Sequence, residues 1–228
     1  MSCARCVSGL AAAERGVRVS CCVMGELFSG SAGLLECPLG RLPVAAIDFE
    51  SAGSAPGETD EPVQVGVLRV ESLMGEPVLF DSYLACSHPV RWSASRVHGI
   101  TTAMLQGAPR WRDLWPEMRR LLSGVVVLGH NPSTEMRFLR VFPGHGFGPW
   151  LDTLALARRA MPGLGDYSLA SVCAALGVVG ELDALVPRRW HDALYDAAGS
   201  LLVLRALVRG LAMEEVPLGA LDFALHEG

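Results

Sequence analysis

The alternation of apolar and polar positions predicts a series of strands in the first half of the chain. Residues 44–50, VAAIDFE, form a short apolar run that ends in two acids, and the turn-rich segment 51–62 follows it. This pattern is typical of a buried strand followed by a loop. Residues 63–72 and 76–86 each predict a further strand, and a short turn separates them. Three consecutive strands indicate an antiparallel meander.

Strands and helices alternate in the second half. Apolar residues of 111–122 recur at helical spacing and predict a helix that ends at Gly124. Residues 125–131, VVVLGHN, predict a buried strand, and Pro132 suits the first turn of a helix after it. Further strand and helix patterns cover 150–161, 167–177 and 191–211. The chain is therefore predicted to be an α/β protein with a mixed sheet and helices packed on it.

Length and charge restrict the possible classes of protein. A chain of 228 residues is expected to form one domain with short extra segments. No apolar run reaches the roughly 18 residues that span a bilayer, which predicts a soluble globular protein. All 19 basic residues are Arg, and the net charge of −5 argues against a protein that coats long stretches of duplex.

The amino-terminal segment and the cysteines favour a cytoplasmic location. Charged residues within the first 18 positions interrupt the apolar stretch of a signal peptide, and seven cysteines do not resemble an even disulfide framework. Cys3 and Cys6, followed by adjacent Cys21 and Cys22, could form a zinc site. Adjacent cysteines cannot easily supply two vertices of one tetrahedron, however, so free thiols are the better interpretation.

Acidic residues at the ends of predicted elements are the candidates for chemistry. Asp48 and Glu50 lie two apart on a strand and therefore on one face of it. Carboxylates at the exit of a buried strand need a counter-charge, which a divalent cation supplies, although a solvent-facing acid is the alternative. His191 and Asp196 open the last helix, where a cap and a surface charge would be ordinary. Glu135 would meet the dipole of an earlier helix.

Three segments in this order resemble the motifs of a nuclease family. AIDFESAG, GHNPSTEMRFL and HDALYDA, with VHGIT at 97–101, are similar to those of the DnaQ-like 3′–5′ exonucleases, the histidine subtype of the DEDD superfamily. Its members include the epsilon proofreading subunit of DNA polymerase III and RNase T. The resemblance implies a ribonuclease H-like mixed sheet, an antiparallel meander plus parallel strands, flanked by helices. It divides the chain into a lead-in at 1–41, an exonuclease domain at 42–210 and a tail at 211–228.

The resemblance also implies the role of each site residue. Asp48, Glu50 and Asp196 would ligate two Mg²⁺ or Mn²⁺ ions, and His191 would be the general base. Glu135 stands where the family usually has Asp, and its extra methylene extends the side chain by about 1.5 Å. We expect it to be a retained ligand, with the helix set back or the second metal bound differently. The products would be nucleoside 5′-monophosphates.

Two other functions remain open from the sequence. The substitution at 135 could leave a catalytically weakened nucleic-acid-binding or polymerase-associated module, and an unrelated metal-dependent phosphoesterase could act on small nucleotides. The expected partners are 3′ ends of single-stranded DNA or RNA. A polymerase and a second copy of the chain are further candidates, and no membrane contact is expected.

Some neighbouring residues carry weaker predictions. Arg188 and Arg189 precede His191 and could meet the substrate phosphate, with a solvated charge pair as the alternative. Asp152 is interpreted as a helix N-cap and His98 as a residue that orders its loop. Trp92, Phe49 and the segment near Met104 could stack on terminal bases, with burial in the core as the alternative for Phe49.

Overall fold

The structure is a computed structural model that describes residues 31–226. The cysteine pairs near the amino terminus, and the zinc site considered for them, lie outside this range. The strands are β1 (Val44–Ser51), β2 (Pro62–Val70), β3 (Val78–Tyr83), β4 (Val126–Gly129), β5 (Trp150–Asp152) and β6 (Leu225–His226). The α-helices are α1 (Ser31–Leu35), α2 (Trp92–His98), α3 (Trp115–Leu122), α4 (Ser133–Leu139), α5 (Thr153–Ala160), α6 (Leu169–Ala175), α7 (Val179–Leu185) and α8 (Ala193–Gly210).

The strands form one mixed sheet in the order β3-β2-β1-β4-β5-β6. β1, β2 and β3 pair antiparallel, which confirms the predicted meander. β4 runs parallel to β1 and β5 runs parallel to β4, while β6 adds an antiparallel edge. Strand β1 therefore lies inside the sheet, and its carboxyl end carries both acids of the first motif.

Helices cover both faces of the sheet. On one face, Val44 and Ala46 of β1 pack in the same cluster as Leu201 of α8. On the other face, Ala45 and Ile47 belong to a second cluster with side chains of α3 and α4. Since residues of a strand alternate between faces, Asp48 and Glu50 continue the row that faces α8.

The segments that flank the central region also contribute to the core. Leu34 and Leu39 are buried, as are Leu218 and Leu221 near the carboxyl end. Pro38 forms an isolated antiparallel bridge with Pro217, so the two segments meet at one edge of the molecule. No helix within 31–226 has the length and apolar character needed to cross a membrane.

The start of α4 has no side-chain cap. Pro132 occupies the N-cap position, and neither Asn131 nor Ser133 caps the helix. Asn131 instead adopts a left-handed conformation with φ 63°, and its N–H donates to Asp152 Oδ1 at 2.9 Å. The polar residues at this junction therefore serve the contact between β4 and β5.

Candidate active site

The structure brings the five predicted site residues together at the carboxyl end of the internal strand β1. Asp48 and Glu50 come from β1, Glu135 from the first turn of α4, and Asp196 from the first turn of α8. Ligand atoms of Glu50, His191 and Asp196 all lie within 4.8 Å of one another, so these three could hold a metal ion. The charges of Glu135, Asp196 and Glu50 all act on Asp48, which places it among them.

Burial and mutual repulsion raise the pKa values of these acids. Burial, followed by the charges of Glu135 and Asp196, raises the pKa of Asp48 well above its usual value. Burial and the Asp196 charge raise the pKa of Glu50 to about 8. Burial also raises the pKa of Glu135 and of Asp196 to about 7. A buried cluster of carboxylates with these properties calls for positive charge at its centre.

Asp196 provides a specific indication that a cation fits. Its Oδ2 accepts the backbone N–H of His191 at 3.2 Å. Its Oδ1 is buried and has no hydrogen-bond partner among residues 31–226. A buried carboxylate oxygen without a partner costs free energy, and a hard divalent cation prefers such an oxygen as a ligand.

The loop before α8 presents His191 to the site. His191 has a φ of 65°, a left-handed conformation uncommon for a non-glycine residue, and its side chain is exposed. Asp192 then caps α8 by accepting the N–H groups of Leu194 and Tyr195. His191 therefore lies in the loop, outside the first helical turn. This position explains how a spacing of five residues still brings His191 to Asp196.

Two residues of β2 that the sequence analysis did not select hold the start of α8. Gln64 donates to Asp192 Oδ2 at 3.0 Å and accepts from the N–H of Ala193 at 3.3 Å. Gly66 lies against the same turn, where an added Cβ would overlap the Leu194 backbone nitrogen. A glycine and a glutamine within a valine-rich buried strand are the sequence signal for such a contact.

The arginines before His191 differ in what they contact. Arg188 Nη1 binds Asp81 Oδ2 at 2.8 Å and Asp192 Oδ1 at 3.1 Å, so it ties β3 to the cap of α8. Arg189 lies beside the Cα of Gly99, where a Cβ would approach its Nη2 to 2.7 Å. Both line a cleft of about 380 Å³ next to the site, together with His98.

Two supporting predictions are confirmed. His98 Nε2 donates to the carbonyl of Ser51 at 3.1 Å, and its Nδ1 accepts the N–H of Ile100 at 3.0 Å. His98 therefore orders its own loop and joins it to the residue after Glu50. Asp152 caps α5 by accepting the N–H of Leu154 at 2.8 Å.

The candidates for contact with terminal bases divide into buried and exposed side chains. Phe49 is 7% exposed and packs edge-on against Trp111 and Phe138, so it belongs to the core. Trp92 is 73% exposed and Met104 is 44% exposed. Only the latter two are available for contact with a ligand.

Residues 45–204 match the family model described as Exonuclease (RNase_T). This range covers more than half of the chain and includes all five site residues. The family match shows that the chain is a nuclease-type hydrolase. The chain belongs to the exonuclease family.

Curated relatives include subunits of bacterial DNA polymerase III. An epsilon-like protein of Rhodobacter capsulatus is 30% identical over 194 residues, which cover 80% of this chain and 27% of the relative. The PolC-type polymerase of Thermotoga maritima is 31% identical over 168 residues, 71% of this chain and 12% of the relative. The chain thus spans about a quarter or less of the length of these two relatives.

Solved structures confirm the ribonuclease H-like fold. Exonuclease X in complex with 5′ overhanging duplex DNA gives a TM-score of 0.61 at 24% identity, covering 79% of this chain and 99% of that one. The nuclease domain of 3′hExo, a DEDDh family member bound to rAMP, gives 0.60 at 16% identity, covering 77% and 95%.

Proposed function

We propose that this chain is a metal-dependent 3′–5′ exonuclease that releases nucleoside 5′-monophosphates from single-stranded DNA or RNA. The observation that carries the proposal is the meeting of Asp48, Glu50, Glu135 and Asp196 with His191 at the carboxyl end of β1. Glu135 is buried, the other three carboxylates are partly buried, and all four have raised pKa values, which supports a site that holds a cation. The same group of residue types suits hydrolysis of a phosphodiester.

The acids would hold two Mg²⁺ or Mn²⁺ ions. Glu135 is 6% exposed and its charge acts on Asp48, which supports a retained ligand over a weakened binding module. When bound, the ions supply Lewis acidity and stabilise negative charge on the reacting phosphate. The unpartnered Oδ1 of Asp196 is a ready ligand atom.

His191 would accept the proton of the attacking water. Its exposed ring stands at the open side of the acid group, where substrate and water can reach it. The hydrogen bond from its backbone N–H to Asp196 holds the loop, so the ring is presented by a fixed main chain. Imidazole can take up a proton near neutral pH, as this role requires.

The substrate strand would reach the site along the cleft beside His98 and Arg189. Arg188 is engaged with Asp81 and Asp192, so it would act by holding the loop. Arg189 and the exposed Trp92 and Met104 are the side chains we assign to contact with phosphate and bases.

A labelled single strand tests the proposal. With Mn²⁺, a linear oligonucleotide labelled at its 5′ end should shorten one nucleotide at a time from the other end, and a circular strand of the same sequence should survive. Cleavage of the circle would show an endonuclease. Hydrolysis of the p-nitrophenyl ester of thymidine 5′-monophosphate with the linear strand spared would show a small-nucleotide phosphoesterase.

A further inference from the structure

A second group of metal-ligand residues lies away from the acids of the exonuclease site. Glu61 ends the loop before β2, and Cys86 and His88 follow β3. Ligand atoms of these three side chains all lie within 4.8 Å of one another. In a tetrahedral zinc site with bonds of about 2.0–2.3 Å, ligand atoms lie about 3.5 Å apart, so small rotations would close the group on an ion.

The hydrogen bonding of His88 leaves one of its ring nitrogens able to bind a metal ion. Its Nδ1 lies 3.2 Å from the carbonyl of Pro89, a contact that places the ring hydrogen on Nδ1. Its Nε2 then carries a lone pair, and this atom is buried without a hydrogen-bond partner among residues 31–226. Metal-bound histidines usually donate their other ring N–H to a carbonyl or carboxylate in this way.

Glu61 is held in place by its neighbours. Its carboxylate accepts the N–H of Ser87 at 2.7 Å as well as the Ser87 hydroxyl. These hydrogen bonds, against the effect of burial, lower the pKa of Glu61, so it is ionised. Cys86 is the third member: burial and the adjacent carboxylate raise the pKa of its thiol to about 11. A bound cation would displace that proton and form the thiolate.

We propose that Glu61, Cys86 and His88 form a zinc-class cation site with one position left for water or another ligand. Thiolate and imidazole favour Zn²⁺ over Mg²⁺ or Mn²⁺, so this site differs in selectivity from the carboxylate group near Asp48. Glu61 and Cys86 line a cleft of about 610 Å³, which gives an ion access. The inference does not depend on the proposed exonuclease activity.

The site would fasten the loop that follows the first motif. Ala52 N–H donates to the carbonyl of Glu61, and Arg91 N–H donates to the carbonyl of Ala52, both at 2.9 Å. An ion bound by Glu61, Cys86 and His88 would therefore connect the end of this loop to the segment that follows β3. The bound ion would therefore have a structural role, which is to hold this loop in place beside the exonuclease site.

Cobalt spectroscopy tests the site in the full chain. Replacing Cys3, Cys6, Cys21 and Cys22 with Ser removes the thiols outside the described residues. One equivalent of Co²⁺ should then produce the sulfur-to-metal charge-transfer band and tetrahedral visible bands, and Zn²⁺ should abolish them. Carboxylates cannot give the sulfur band, so it reports a thiolate ligand alone. Absence of the band in this background protein would overturn the proposal.

Single-residue variants identify which side chains produce the charge-transfer band. Cys86→Ser and His88→Ala should lose it, while Cys37→Ala, which alters a buried thiol elsewhere, should retain it. Asp48→Ala should also retain it, which separates this test from the fate of the exonuclease proposal. Glu61→Gln keeps an oxygen for Ser87 and should weaken Zn²⁺ binding by about tenfold or more. A band that persists in Cys86→Ser contradicts the assignment, and circular dichroism verifies that each variant is folded.

Discussion

Asp48 and Gly66 lie directly opposite each other in the antiparallel pairing of β1 with β2. The absence of a side chain at Gly66 lets the first turn of α8 contact the sheet at this point. Asp196 is carried by that same turn. The close contact of α8 with Gly66 therefore brings Asp196 near Asp48.

Gly66→Ala should increase the distance between Asp48 and Asp196. The new Cβ would overlap the backbone of Leu194, so α8 must move away, at a cost of about 1–3 kcal/mol in the free energy of unfolding. Nuclease activity should fall more than stability alone explains. Urea unfolding and the labelled-strand assay measure both. Gly180→Ala is the matched control, since nothing lies within 4 Å of its Cβ; equal losses in both variants would refute the explanation.

The stability of the metal-free protein should fall as pH rises from about 4.5 to about 8. The pKa of Glu50 is raised to about 8, and those of Glu135 and Asp196 to about 7. In this window the folded protein keeps protons that the unfolded chain has released, and each raised group contributes at most about 1.4 kcal/mol per pH unit.

Urea unfolding in EDTA across this window measures the effect. Mn²⁺ should reduce the slope of the unfolding free energy against pH, because it binds the ionised acids of the folded state. Asp48→Asn should also reduce the slope, since Asp48 is itself one of the acids whose pKa is raised in the folded state. Stability in EDTA that increases with pH would show that the acids are not buried together.

Glu135→Asp should lower activity by about 10- to 100-fold, because shortening the side chain by one methylene withdraws the carboxylate from the other acids. Glu135→Gln should lower it further, since the charge is lost while the length is kept. Initial rates at saturating Mn²⁺ give the comparison. A faster Glu135→Asp enzyme would instead identify the glutamate as a poorly fitted ligand.

His191→Ala should reduce kcat by about 10²- to 10⁴-fold through loss of the proton acceptor. Because the ring is exposed, the unfolding free energy should change by less than about 0.5 kcal/mol. Single-turnover cleavage and thermal unfolding of the same preparation measure the two effects. An unaltered kcat would remove His191 from the proposed chemistry.

Short-range patterns allowed much of this architecture to be predicted. The apolar run before Asp48 and Glu50 indicated a buried strand, and the period of two placed both acids on one face. The helix that contains Asp196 could be predicted equally well from its apolar spacing. These features depend on neighbours in sequence, which a single chain displays directly.

Long-range contacts were beyond such patterns. The pairing of Arg188 with Asp81 joins residues 107 positions apart, and the fit of α8 on Gly66 depends on strand register. The conformation of Asn131 has the same origin, since Asp152 on the next strand accepts its backbone N–H. Each depends on how separate elements meet.

Asp48→Ala gives the most direct test of the central claim that these acids form a metal-dependent exonuclease site. Mn²⁺-dependent shortening of a 5′-labelled single strand should be abolished, while circular dichroism and unfolding in EDTA show an intact fold. We predict that the metal-free variant is at least as stable as the parent, because the desolvation and repulsion that raise the pKa of Asp48 are removed with its carboxyl group. Undiminished shortening by the folded variant would contradict the account.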